Sequence, residues 1–175
     1  MYYFNHKILS IIIISFFTIS LFTTSVEADD PEFITIAGGL FDFNRKKNDG
    51  GEFRLEYRSN QKFLGLKPFA TSAIATNGMT FLGGGVLLDV FFGRRLVLTP
   101  SFAPTLWFGE TDKLDLGHVV EFRSQLEAAY RFDDRSRLGL SVSHYSNASL
   151  GDKNPGTESF LINYSIPFRS VTKLF

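Results

Sequence analysis

The stretch Glu52-Phe53-Arg54-Leu55-Glu56-Tyr57-Arg58 alternates strictly between charged and apolar side chains. A period of two is that of a β-strand, so Phe53, Leu55 and Tyr57 share one face and the charged residues share the other. Neither face belongs to a helix, whose apolar positions recur every three or four residues. The pattern therefore predicts a strand with one apolar surface and one strongly charged surface.

The same alternation recurs along the rest of the chain, most clearly over residues 120–132. Segments rich in Gly, Asn, Asp and Ser separate the apolar stretches and are typical of turns. After residue 28, no apolar stretch is long enough for a transmembrane helix. A closed β-barrel is the other structure that pairs every backbone polar group inside a membrane. Eight antiparallel strands are predicted, at residues 33–43, 51–59, 64–76, 79–92, 95–108, 117–132, 136–147 and 157–168.

This eight-stranded transmembrane barrel of the outer membrane would turn its apolar face to lipid and its charged face to the lumen. A soluble barrel would require the reverse assignment. Eight strands enclose only enough space for side chains, so paired Arg and Glu residues are expected to fill the lumen. Loops 44–50, 77–78, 109–116 and 148–156 are expected outside the cell, and turns 60–63, 93–94 and 133–135 in the periplasm.

Residues 1–28 have the organisation of a secretory signal peptide. Lys7 precedes an apolar run from Ile8 to Phe22, and Val26-Glu27-Ala28 fits a small-x-small cleavage site. The alternative is an uncleaved anchor, but the run is shorter than the ~20 residues that a spanning helix needs. The prediction is a mature chain of residues 29–175, forming a single barrel domain.

Composition excludes several classes of function. Basic and acidic residues balance at 18 each, whereas nucleic-acid-binding domains usually carry a basic excess. The absence of cysteine excludes disulfides, thiol catalysis and thiolate-bound metals. The spacing of Asp112, Asp115 and Asp152 matches no metal motif, and His118 is interpreted as a residue of the barrel rim. No nucleic acid, metal or cofactor is therefore expected.

Three polar side chains fall on the lipid-facing side of the last two strands. Continuing the alternation of each strand places His144, Ser146 and Glu158 outward, on either side of the loop 148–156. Ionisable groups on a lipid-facing wall are costly, which favours a functional explanation. A serine becomes nucleophilic when a base takes its proton, and a carboxylate can orient that base. The three residues are the candidate catalytic triad, and Asn147, Asn154 or loop N–H groups are candidates for stabilising an oxyanion.

The segments His144-Tyr145-Ser146-Asn147-Ala148 and Asn154-Pro155-Gly156, followed by Glu158, resemble the C-terminal signature of the PagL-type lipid A 3-O-deacylases. The resemblance implies an eight-stranded outer-membrane barrel that hydrolyses the ester-linked acyl chain at position 3 of lipid A. It implies that the Ser-His-Glu triad lies on the outside of the barrel wall. It also implies that Asn154 helps to form the oxyanion hole and that Phe122 corresponds to an aromatic residue beside the site.

On this interpretation the partners are the lipid A part of lipopolysaccharide and the outer membrane. The sequence does not decide whether the protein forms a homodimer. Two alternatives are a structural or adhesive barrel without chemistry and a lipid A acyltransferase. An acyltransferase needs a lumen that binds a hydrocarbon chain. The charged lumen face argues against this alternative. The basic residues 45–47 are either a solvated loop or a contact for anionic lipopolysaccharide.

Overall fold

The computed structural model describes residues 30–109 and 114–172, apart from the side chain of residue 171. The predicted signal peptide, residues 1–28, lies outside the described residues. The described chain is all-β apart from a short C-terminal helix. Its elements are β1 Phe33–Phe41, β2 Gly50–Arg58, β3 Lys67–Ala75, β4 Thr80–Leu87, β5 Val90–Phe92, β6 Leu96–Phe108, β7 Val120–Arg131, β8 Arg137–Ser146, β9 Thr157–Pro167 and α1 Phe168–Thr172.

The strands form one closed antiparallel barrel. Consecutive strands pair with each other, except that β4 and β5 both pair with β6, and β1 pairs with β9 to close the barrel. The strands β4 and β5 keep a single register against β6, with Leu87 opposite Ser101 and Val90 opposite Leu98. They are two parts of one strand, so the predicted eight-stranded transmembrane barrel is confirmed.

The break between β4 and β5 has a local cause. Leu88 donates its backbone N–H to the carbonyl of Pro100, at a distance of 3.1 Å. Pro100 has no N–H with which to return a second bond, so the ladder is incomplete at this point. The predicted strand over residues 79–92 is therefore continuous in register and interrupted in hydrogen bonding.

The two faces of the wall have the predicted polarity. Phe53 is 55% exposed on the outside, whereas Arg54 is 1% exposed in the lumen. The lumen is filled by buried ion pairs in which each guanidinium contacts one or two carboxylates, as predicted. These pairs are Arg54 with Glu52, Arg58 with Glu56 and Glu127, Arg123 with Glu56, and Arg137 with Asp30 and Asp89.

An apolar layer closes the lumen at the end of the barrel that carries the long loops. The charged alternation of β2 and β7 predicted only ion pairs in the lumen. That alternation does not extend to the strand ends, so the apolar layer was not predicted. Its rings pack closely, with the centroids of Phe81 and Tyr145 4.4 Å apart. The layer contains Phe41, Ala73, Ala75, Met79, Phe81, Trp107, Leu114, Leu116 and Tyr145.

Two strands begin three residues later than the sequence pattern predicts. The third begins at Lys67, because Leu64 and Gly65 adopt left-handed backbone conformations with φ of 51° and 82°. These residues make a tight turn in place of the predicted strand start. The strand that follows the longest loop begins at Val120, whose N–H binds Nδ1 of His118 in the preceding turn. His118 is therefore a residue of the rim.

The last strand is one residue shorter than predicted. It ends at Pro167, and Phe168 begins α1 with its N–H bound to the carbonyl of Glu32. Within residues 30–109 and 114–172, no helix is long and apolar enough to cross a membrane.

Candidate active site

Barrel pairing brings His144 and Glu158 together on the outer wall. They are register partners across β8 and β9, and the alternation of both strands directs them outward. The imidazole Nδ1 of His144 lies 3.1 Å from Oε1 of Glu158. The His144 side chain is 46% exposed and that of Glu158 is 14% exposed. A carboxylate bound to Nδ1 leaves Nε2 as the basic nitrogen of the ring.

Ser146 is the last residue of β8, two positions beyond His144 on the same face. Such neighbours are about 7 Å apart between Cα atoms, so side-chain rotation decides whether they meet. Among the described residues, no hydrogen bond joins Ser146 to His144. Catalytic hydrogen bonds are often long before substrate binds and shorten in the complex, so the spacing is compatible with a nucleophile and its base.

A second serine near His144 was missed by sequence reasoning. Ser124 is outward and exposed on β7, and it is the register partner of His144. Cα atoms of directly opposite residues are about 4.5–5.5 Å apart, closer than residues two apart on one strand. The alternation along β7 shows only that Ser124 faces outward. The pairing of β7 with β8 is needed to place Ser124 beside His144. Ser124 lies within the β-ladder, whereas Ser146 ends β8 and is followed directly by loop residues, whose polar groups are candidates for stabilising an oxyanion.

The loop after β8 is built around Asn147, which is buried. Its side-chain amide donates to the carbonyls of Leu116 at 2.8 Å and of Lys153 at 2.6 Å. Its backbone N–H donates a hydrogen bond to Oδ1 of Asn154 at 3.1 Å, and this bond orients the side-chain amide of Asn154. Both side-chain hydrogens of Asn147 are therefore occupied. The geometry favours Asn154, with its Nδ2 group, as the candidate oxyanion donor.

Phe122 forms the floor beside the serine. It is the register partner of Ser146 on the outer face of β7. Its ring stacks on that of Phe102, with centroids 5.9 Å apart and an interplanar angle of 11°. The two rings present a flat apolar surface next to Ser146, which suits contact with a hydrocarbon chain.

Gly156 packs directly against the imidazole of His144. A Cβ atom built on Gly156 would lie 3.0 Å from Cε1 and 3.5 Å from Nε2 of the ring. The backbone of Gly156 also has a φ of +63°, which L-residues rarely adopt. Any side chain at position 156 would therefore displace the ring or the loop.

A contact from the first long loop completes the site. Nε of Arg45 lies 3.3 Å from the same Oε1 atom of Glu158 that faces His144. Arg45 and Glu158 are 113 residues apart in sequence, and the basic run 45–47 gives no sign of which cation makes the contact. Within residues 30–109 and 114–172, no group of three or more His, Cys, Asp or Glu side chains is placed to hold a metal ion.

The fold and the site together define a membrane-spanning β-barrel whose outer wall carries a hydrolase-like set of side chains. The sequence model of the family described as lipid A 3-O-deacylase (PagL) matches residues 34–167. The chain belongs to this family, which confirms the resemblance drawn from the residues at positions 144–158.

Two individual comparisons agree with this assignment. The lipid A deacylase PagL of Pseudomonas aeruginosa is 36% identical over 53 residues, which are 30% of this chain and 31% of that protein. The match thus spans about a third of the curated relative's length. The crystal structure of the outer membrane enzyme PagL superimposes with a TM-score of 0.62 at 20% identity, covering 78% of this chain and 99% of that one. This likeness supports the fold.

Proposed function

We propose that this protein is an outer-membrane esterase that removes the ester-linked 3-O acyl chain of lipid A, using Ser146, His144 and Glu158. The observation that carries the proposal is the His144–Glu158 pair, which lies on a lipid-facing wall beside Ser146. A triad on this surface meets a substrate that stays in the membrane. Membership of the lipid A 3-O-deacylase family supports the choice of substrate.

The proposed reaction has two steps. His144 Nε2 takes the proton of Ser146 as its Oγ attacks the ester carbonyl carbon, and Asn154 stabilises the resulting oxyanion. The bond between the acyl carbonyl carbon and the 3-oxygen of the sugar then breaks. His144 protonates the departing 3-oxygen, and the acyl chain stays on Ser146. Water then attacks the acyl-serine with His144 again as base, releasing the fatty acid and restoring the serine hydroxyl. Glu158 stabilises the imidazolium that forms in both steps.

The packing of the lumen supports hydrolysis over acyl transfer. Buried ion pairs and the apolar layer fill the space that an internal acyl-binding pocket would need. The rings of Phe122 and Phe102 offer an apolar contact on the outer wall instead, where water can reach the rim.

Mass spectrometry of lipid A tests the proposed function. Cells that make this chain are expected to lose one 3-O-linked acyl chain from their lipid A, while cells that carry the empty vector keep it. A folded barrel that leaves lipid A unchanged would favour the structural or adhesive alternative.

Gly156→Ala is expected to lower kcat about tenfold, because the added methyl group pushes the His144 ring from its place. Gly93→Ala is the matched control. Gly93 has a similar φ of +66° and, beyond its chain neighbours, no atom within 4 Å of a Cβ, so it shares the backbone strain of about 1 kcal/mol but neither the ring contact nor the contact at 3.0 Å with the Tyr145 carbonyl that a Cβ on Gly156 would make. Turnover and thermal unfolding are measured for both variants. Equal kcat in the two variants would mean that the effect of Gly156→Ala comes from backbone strain alone.

A further inference from the structure

The first long loop is tied to the strand that carries Glu158. Asp42 is fully buried, and its Oδ2 accepts the backbone N–H groups of Lys47 at 2.7 Å and Asn48 at 2.8 Å. Its Oδ1 accepts a hydrogen bond from Thr157 Oγ1 at 3.1 Å. Thr157 directly precedes Glu158, so Asp42 anchors the basic loop beside the site.

The anchored loop directs Arg45 onto Glu158. The guanidinium Nε and the imidazole Nδ1 of His144 contact the same oxygen, Oε1, at 3.3 and 3.1 Å. The other oxygen, Oε2, is buried and has no hydrogen-bond partner among the described residues. The orientation of the carboxylate therefore depends on these two contacts, and His144 must stay free to exchange protons.

We propose that Arg45 is a positioning residue that holds the Glu158 carboxylate with Oε1 towards His144. The assignment rests on the proposed function. Among the described residues, no hydrogen bond joins Arg45 to Ser146, so Arg45 acts through Glu158. Because Arg45 is partly exposed, its contact is of the modest kind that surface ion pairs make. Removing it is expected to lower kcat about two- to fivefold and to leave KM nearly unchanged.

The loop supplies a matched control for charge. Lys47 is exposed in the same loop and makes no ion pair among the described residues. Lys47→Gln removes the same positive charge as Arg45→Gln without touching Glu158. Arg45→Lys keeps the charge and should recover part of the lost kcat.

The decisive experiment is a double-mutant cycle with Glu158→Gln, measured as kcat and KM on lipid A in mixed micelles. If Arg45 acts through Glu158, Arg45→Gln lowers kcat in the wild-type background and adds no further loss in the Glu158→Gln background. The Lys47→Gln variant keeps the wild-type kcat.

With an active wild type, two results would overturn the assignment. Equal fold-losses of kcat in both backgrounds would show that Arg45 acts independently of Glu158. A rise in KM alone, matched by Lys47→Gln, would make Arg45 a general contact for anionic headgroups. An inactive wild-type barrel would refute the proposed function together with this inference, whereas an active wild type with additive losses would refute only this inference.

Discussion

Ser146→Ala is expected to abolish deacylation while the barrel stays folded. Losing the nucleophile of a triad typically lowers turnover by about six orders of magnitude. The hydroxyl is half-buried at the end of β8 and makes no hydrogen bond among the described residues, so its removal should cost little stability. The measurements are lipid A mass spectrometry and the heat-dependent shift in gel mobility that folded outer-membrane barrels show.

Ser124→Ala is the control for this prediction, because Ser124 is the other outward serine next to His144. It is expected to keep nearly all activity, since its place within the β-ladder lacks the loop N–H groups and the Asn154 amide that Ser146 has nearby. If Ser124→Ala were inactive and Ser146→Ala active, the nucleophile would be Ser124. The loop after β8 would then lose its proposed role in stabilising the oxyanion.

Glu158→Gln is expected to lower kcat by about two to four orders of magnitude, less than Ser146→Ala. Glutamine keeps the size of the side chain and some hydrogen bonding to His144, but it loses the charge that stabilises the imidazolium. The ion pair with Arg45 is partly exposed and worth at most about 1 kcal/mol, so the barrel should be about as stable as the wild type.

Specific activity and thermal unfolding of the purified Glu158→Gln barrel separate chemistry from packing. A slow enzyme with normal unfolding supports a triad. The opposite result, easy unfolding with full specific activity, would make Glu158 a structural residue and reduce the triad to a Ser146–His144 dyad.

The outward direction of the candidate triad was predictable because alternation along a strand is a local property. Each residue of a strand faces the opposite side from its neighbour, so the apolar residues around His144 and Glu158 fixed the face of both. The strands β8 and β9 are consecutive, and consecutive antiparallel strands joined by a loop pair with each other. These two rules place His144 and Glu158 on one outer face near the loop between the strands, and the register of β8 and β9 makes them direct partners.

Strand ends and breaks were less predictable, because they depend on single backbone events. The ladder gap at residues 88–89 arises from a proline on the neighbouring strand. The late start of β3 arises from left-handed conformations at Leu64 and Gly65, which the apolar pattern hides. Leucine is an unusual residue for such a conformation, so the turn had no clear signal in the sequence.

The sequence by itself determined the eight strands, the polarity of the two faces and the outward side of the three candidate catalytic residues, since period and turn chemistry are local. Only the tertiary structure decided which distant groups meet them. Arg45 reaches Glu158 because β1 closes the barrel against β9, and Ser124 faces His144 because the register of β7 and β8 aligns them. Such contacts depend on strand pairing and loop docking over long sequence separations, which no local pattern encodes.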